Sequence, residues 1–236
     1  MKTRGFEVVK GYEDKGINLP KRQTLNAAGY DFEASEDIVV PSFISCFTEI
    51  TKVTDYYTDI AAQILDSTDN HPILGKLKAF NNKLEKLHKE SKPFLEGQHQ
   101  HQDEYIEIVK EILNEDMAKQ FTEELEFLKK GSKPILIPTG IKAYMLEDEK
   151  LDLYNRSSGP IKNKLVMTNG VGLIDSDYYE NESNDGHIFF QFINYGKADL
   201  LIKKGDRIGQ GVFTKFLKVD NDDASGERKG GHGSTN

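Results

Sequence analysis

Two hydrophobic textures divide the chain. Residues 1–42 and 133–219 carry short apolar runs broken by Gly, Pro, Asn and Asp. Residues from about 43 to 131 instead step their apolar side chains by three or four. The first texture predicts strands and turns. N-terminal candidates are Gly5–Lys10, Tyr30–Ala34 and Asp37–Pro41; C-terminal ones are Pro134–Pro138, Lys164–Met167, His187–Ile193 and Asp199–Ile202. Many short strands at this spacing suggest a closed or sandwiched β body.

The second texture predicts helices. Phe47, Ile50, Val53, Tyr57, Ile60 and Ile64 line one face, and Ile73, Leu77, Phe80, Leu84 and Leu87 line another that Pro93 ends. Tyr105, Val109 and Ile112 mark a third helix; Met117, Phe121, Leu125 and Leu128 mark a fourth, closing at Lys129-Lys130-Gly131. Without this block, Ile38-Val39-Val40-Pro41 would run into Ile135-Leu136-Ile137-Pro138. The expected organisation is a β domain of residues 1–42 and 133–236 with a helical insert, 43–132. Its glycine-rich tail, residues 220–236, is nearly devoid of apolar side chains and is expected to stay mobile until something orders it.

Composition narrows the function classes. A chain of 236 residues can bury a real core. It has no 18-residue apolar run to span a membrane, and Met1–Gly5 leads into Phe6-Glu7-Val8-Val9 rather than a secretory signal. One cysteine, Cys46, cannot form an internal disulfide and fits a reducing compartment, so the cytoplasm is the expected location. A net charge of -8 argues against stable binding to a nucleic-acid backbone. A single nucleotide remains open, because a few local cations and backbone N–H groups can hold a triphosphate.

Several residue groups could carry chemistry. Asp175 and Asp177, two apart at a strand end, would place both carboxylates on one face, as a general base, a cation site or an acidic turn. Arg156-Ser157-Ser158-Gly159 combines a bidentate cation, two hydroxyls and a permissive backbone, and reads as a phosphate clamp or a turn. Asn169-Gly170 reads as the tip of a hairpin, and Asp206-Arg207 as a structural turn pair. His99 and His101 fall in a polar stretch expected to be a solvated loop, and Asp31 alone is a surface strand residue. Glu104/Glu107 and Glu123/Glu126 form Glu-x-x-Glu pairs, most simply charged helix faces. The chain has no Walker lysine loop, no Gly-x-Ser-x-Gly elbow and no dinucleotide glycine fingerprint.

Five motifs stand in one order: Ala28-Gly29-Tyr30-Asp31-Phe32-Glu33-Ala34, Arg156-Ser157-Ser158-Gly159-Pro160, Gly172-Leu173-Ile174-Asp175-Ser176-Asp177-Tyr178, Gly205-Asp206-Arg207-Ile208-Gly209-Gln210, and Arg228-Lys229-Gly230-Gly231-His232-Gly233-Ser234-Thr235. Together they resemble the trimeric dUTP diphosphatase (dUTPase) family, in its bacterial and phage form with a helical insertion. The resemblance covers residues 1–42 and 133–236. It implies a mainly β fold, a dUTPase-like β-barrel or jelly roll of the β-clip type, and a homotrimer with sites at subunit interfaces. It also implies hydrolysis of dUTP to dUMP and pyrophosphate with Mg²⁺.

By the same resemblance, Asp175 orients the attacking water and Tyr178 packs on the deoxyribose. Asp31 lies near the metal through a water; Arg156, Ser157, Ser158, Gly159 and Gln210 hold phosphates; and Asn169 belongs to the hairpin that reads uracil. Arg228 reaches the γ-phosphate and the tail closes over the site with His232, Gly233 and Ser234. His232 stands where the family commonly has phenylalanine, and its imidazole still offers a π-face to the base. The related dCTP deaminases share the Arg-Ser-Ser motif but carry a glutamate in a Thr-Leu-Glu stretch, where this chain has Ile174-Asp175-Ser176-Asp177-Tyr178. The helical insert has no counterpart in a minimal dUTPase. It leaves open a second reading, a nucleotide-dependent regulatory protein that binds a protein partner through the insert.

Overall fold

The computed structural model describes residues 2–66, 73, 75–76, 79, 98–226, 228 and 230. The chain divides into a β unit, residues 1–44 and 132–236, and a helical unit, residues 45–131. In the β unit, eleven strands form four sheets among the described residues, all paired antiparallel. The largest has the order β2 (Tyr30–Glu33), β11 (Arg207–Lys215), β6 (Glu149–Asn155), β8 (Gly172–Asp175). A second has β4 (Ile135–Pro138), β9 (Phe189–Asn194), β7 (Leu165–Met167). Two-stranded ladders join β1 (Gly5–Val8) to β5 (Ile141–Tyr144), and β3 (Ile38–Val40) to β10 (Leu200–Ile202). The architecture is mainly sheet, as the strand texture implies.

Period-two alternation builds the core. Along β9, Phe190 and Phe192 point inward and are fully buried. They meet Phe32, Ile137, Leu151, Leu153 and Ile188 in one cluster. Two central strands, β6 and β11, are absent from the expected strands. β6 buries Glu149 and Asp152 among its leucines, and β11 carries Gly209 and Gly211, so neither shows clean apolar alternation. The glycines sit where rings approach the backbone. A Cβ at Gly209 would lie 1.9 Å from the Phe190 ring, and one at Gly211 would lie 2.8 Å from Phe32.

The buried charges of this sheet are paired. Arg4 binds both carboxylate oxygens of Glu149, with Nε at 3.0 Å. Asp152 accepts from Lys150 Nζ at 2.9 Å and Thr214 Oγ1 at 2.9 Å. At the end of β9, buried Asn194 donates to the carbonyls of Val40 (3.1 Å) and Ala198 (2.9 Å) and accepts from Gly196 N (2.8 Å). Ser42 bridges to the same residue, and Ile135 pairs with Phe192 two residues earlier. The two chain segments that flank the helical unit in sequence therefore meet at one end of β9.

The helical unit comprises α1 (Phe43–Asp66, whose first two residues group with the β unit), α2 (Gln98–Ile112) and α3 (Glu115–Gly131). Its core joins Ile50, Tyr57 and Ala61 to Val109, Ile112, Phe121 and Leu125, with the Tyr57 and Phe121 rings 4.5 Å apart. Asn114 Oδ1 accepts from Met117 N at 3.0 Å at the start of α3, a side-chain N-cap. Two expectations change. Phe47 is 54% exposed, because the buried stripe of α1 begins only at Ile50 and runs through Thr54, Tyr57 and Ala61. His99 and His101 lie in α2 rather than in a loop, since the helix starts seven residues before Tyr105. Most of the expected helix over Ile73–Leu87 lies outside the described residues; Ile73 itself is buried.

Two expected outcomes test this packing. Gly209→Ala should cost at least about 2 kcal/mol by forcing Phe190 off its seat, read as a fall of several degrees in Tm, while a surface change such as Gly226→Ala should not. The Arg4 guanidinium holds the Glu149 carboxyl below its ordinary range against the opposing effect of burial. That pair therefore stabilises the fold above the carboxyl's unfolded pKa, and the gain is lost as pH falls through the depressed folded value. In Arg4→Met the Tm difference between pH 7 and pH 3 should shrink; an unchanged difference would assign the acid sensitivity to other carboxylates.

Candidate active site

The pocket that gathers four of the sequence-predicted residues holds about 180 Å³ and lies between the two larger sheets. Leu136 and Gln191, partners in the β4–β9 ladder, bound one side, and Leu153, Gly172 and Leu173 from the β6–β8 ladder bound the other. Asn169, Asp175, Tyr178 and Arg228 line it as well, with Ile174 and Phe189. Asp175 is the last residue of β8, paired with Lys150. The strand stops there and Ser176–Tyr178 form a 3-10 turn, so strand periodicity does not align the two aspartates. Arg228 does so instead, donating from Nε to Asp177 Oδ1 at 2.7 Å and from Nη2 to Asp175 Oδ2.

Tyr178 is buried and fully engaged. Its hydroxyl donates to the His187 carbonyl at 2.8 Å and accepts from Asn184 Nδ2 at 2.7 Å. Burial raises the phenol above its ordinary pKa, so it stays a donor at neutral pH. Arg228 lies over the ring, with Cζ 5.9 Å from its centroid. His187 in turn accepts from Gly140 N through Nε2 at 2.9 Å.

Asn169-Gly170 does form a tight turn, with Gly170 at φ +67° and Val171 N donating to Asn169 O at 2.7 Å. It is not a paired hairpin. Its flanking strands belong to different sheets, β7 pairing with β9 and β8 with β6, so the turn is a corner that carries Asn169 to the pocket wall.

A second polar cluster forms elsewhere on the β unit. Asp31 on β2 faces Gln210 on β11, which faces Tyr154 on β6. Asp31 accepts from Arg207 Nη1 at 3.1 Å and pairs with Arg156 Nε at 3.6 Å. Arg156 Nη1 donates to the Arg207 carbonyl at 3.1 Å, and Gln210 Nε2 to the Asn155 carbonyl at 3.2 Å. Ser157 is exposed beside it, and Ser158 precedes the short helical turn Gly159–Asn163. Asp206 behaves as a turn residue, accepting from Lys203 N at 2.9 Å. Arg207 departs from the turn reading: it opens β11 and joins Arg156 on Asp31. Only the register between β2 and β11 reveals that role, because Arg207 and Asp31 are 176 residues apart.

The single chain does not bring the two clusters together. β2 and β8 are opposite edges of the same sheet, about 14 Å apart across three strand spacings. His232, Gly233 and Ser234 lie outside the described residues.

Comparison with known proteins places this arrangement. A family model described as dUTPase matches residues 122–236. The deoxyuridine 5'-triphosphate nucleotidohydrolase of Lactococcus lactis subsp. lactis (strain IL1403) is 34% identical over 237 residues, covering 100% of this chain and 99% of the relative. The enzyme of the same description from Caulobacter vibrioides (strain NA1000 / CB15N) is 33% identical over 113 residues, 46% of this chain and 68% of the relative. The crystal structure of dUTPase from Streptococcus mutans superposes with a TM-score of 0.52 at 27% identity, covering 92% of this chain and 99% of that one. The Lactococcus alignment runs through the helical block as well as the five motifs, and on that end-to-end likeness the chain belongs to the dUTPase family.

Proposed function

We propose that the chain hydrolyses dUTP to dUMP and pyrophosphate with Asp175 as the general base. The observation that carries this reading is the placement of Asp175 at the rim of a pocket walled by Tyr178 and crossed by a cation, Arg228. In this mechanism Asp175 accepts a proton from a water aligned on the α-phosphorus. The new P–O bond forms as the bond to the bridging oxygen of the β-phosphate breaks, and pyrophosphate leaves. Tyr178 packs its ring against the deoxyribose, where a 2′-hydroxyl would be crowded. Asn169, at the corner between the sheets, meets the uracil with its turn backbone.

Arg228 supports the same reading. An arginine held by two carboxylates, in a segment without regular structure, can exchange them for phosphate oxygens of similar geometry. That exchange would free Asp175 as base and place the cation on the γ-phosphate. His232, Gly233 and Ser234 would follow Arg228 over the substrate as a lid.

Phosphate binding falls to the second cluster: Arg156, Ser157, Ser158, Gly159 and Gln210. The pocket, at about 180 Å³, is smaller than the roughly 300 Å³ or more expected of a whole-ligand site. With the clusters on opposite edges of one sheet, a homotrimer that sets one subunit's Asp31 cluster beside the next subunit's pocket completes the site. Among the described residues no group of three or more His, Cys, Asp or Glu side chains could ligate a metal directly. Asp31, with lone pairs to spare beyond its two arginines, fits a Mg²⁺ held through water. Mg²⁺ bound there would neutralise charge on the phosphates. Every residue in this scheme belongs to the β unit.

Asp175→Asn should lose about 10²–10⁴-fold in kcat while dUTP still binds, measured by pyrophosphate release and by calorimetry; near-normal turnover would remove Asp175 as the base. Subunit mixing tests the shared site. Asp175→Asn and Arg156→Ala homotrimers, each inactive, should recover measurable dUTP hydrolysis after subunit exchange. No recovery despite demonstrated exchange would place both clusters' work within one chain.

A further inference from the structure

The loop from Tyr179 to Gly186 does no chemistry in this mechanism, yet it is built with unusual care. Of the three non-glycine residues with positive φ among those described, two lie in it: Glu180 at +54° and Asp185 at +57°. Left-handed backbone is unfavourable for Glu180, and Asp tolerates it better, so Glu180 is the position the surroundings must hold. Gly186, at φ +78°, closes the loop so tightly that a Cβ would sit 2.9 Å from the Tyr178 carbonyl oxygen.

The holding group is Lys142 on β5. Its side chain is only 5% exposed, and its ammonium donates to Glu180 Oε1 at 2.9 Å and Asp185 Oδ2 at 3.0 Å. Those are the loop's two non-glycine positive-φ positions. Asp185 Oδ2 also accepts from Lys10 N at 2.9 Å, so the clamp ties the loop to a second segment of the β unit. Burial disfavours the charge on Lys142, and hydrogen bonds to Glu180 and Asp185 more than compensate, leaving its pKa raised.

The loop's inner face ends at the pocket. Asn184, between the two clamped residues, donates to the Tyr178 hydroxyl, and its Oδ1 is fixed by Asn181 Nδ2 at 2.8 Å and Gly186 N at 3.2 Å. Asn181 returns a bond to the Tyr178 carbonyl at 2.8 Å. Tyr178 is thus held at its main chain and at its hydroxyl by a loop that its own asparagines brace from within and that one buried ammonium anchors to β5.

We propose that Lys142 is a positioning residue for sugar discrimination, setting the distance of the Tyr178 ring from the ribose by clamping Glu180 and Asp185. This rests on the reading of Tyr178 as the deoxyribose contact. A ring free to retreat by a fraction of an ångström would admit a 2′-hydroxyl, so loosening the clamp relaxes selectivity before it abolishes turnover.

The test is the ratio of kcat/KM for dUTP to that for UTP in the full-length protein, with Tm recorded alongside. Lys142→Met should lower the ratio roughly tenfold, chiefly by raising KM for dUTP and improving UTP. Glu180→Gln, which removes the charge from one arm of the clamp at a half-exposed position, should shift it the same way by less, and Glu180→Ala, which removes the arm, carries the test if Lys142→Met does not fold. Loss of Tm with an unchanged ratio would mean Lys142 only stabilises the fold, and would overturn the proposal. Tyr178→Ala separates the premise from the inference. If it collapses the ratio while both clamp variants keep it, the positioning role is wrong. If Tyr178→Ala itself leaves the ratio intact, the sugar-contact reading fails and the proposal with it. A double-mutant cycle of Lys142→Met with Tyr178→Ala should be strongly non-additive.

Discussion

The rest of the β unit depends on how closely β11 lies on the core rings. Gly209 and Gly211 let the strand rest on Phe190, Phe32 and Leu151, where any side chain would lift it away. β11 is the strand between β2 and β6, so its height sets both neighbouring ladders. Gln210, Arg207 and, across the ladder, Asp31 take their positions from that contact. Glycine weakens an isolated strand through lost conformational entropy, and here burial of large aromatic surface offsets that cost.

Charge organises the site on two sides of the same sheet. On one edge an aspartate is shared by two arginines; on the other an arginine is shared by two aspartates. Each cluster is a half-neutralised ion group that a polyphosphate and its cation could re-pair. Their separation is the observation behind the proposed shared site. The pocket itself is stiffened from behind. Lys142, Asn184 and Asn181 leave Tyr178 little freedom, while Arg228 approaches on a segment with no ladder to hold it.

The helical unit has a separate core and its own caps, and the polar residues assigned to the reaction lie outside it. In sequence it departs from the β unit after β3 and returns before β4. Asn194 and Ser42 close that gap with a buried, fully satisfied set of hydrogen bonds. That closure is what a β domain needs if its ladders are to tolerate a long insertion: the cost of closing a loop grows only slowly with its length.

Much of this was legible in residue order. Apolar period separated the β segments from the helices, and the resemblance of five motifs in one order named the family. Local patterns mark helices and the apolar strands, central β9 included, because they depend on neighbours a few residues away. They failed at β6 and β11, whose buried positions hold Glu149, Asp152 and two glycines, and at Asn169-Gly170, where a hairpin signal became a corner between sheets. Arg207 on Asp31, and Lys142 on Glu180 and Asp185, join residues 176, 38 and 43 positions apart. The sequence by itself determined which elements and which reactive groups exist. Tertiary structure decided which of them face one another, because cross-strand neighbours follow from ladder register, and register is settled only when the whole core packs.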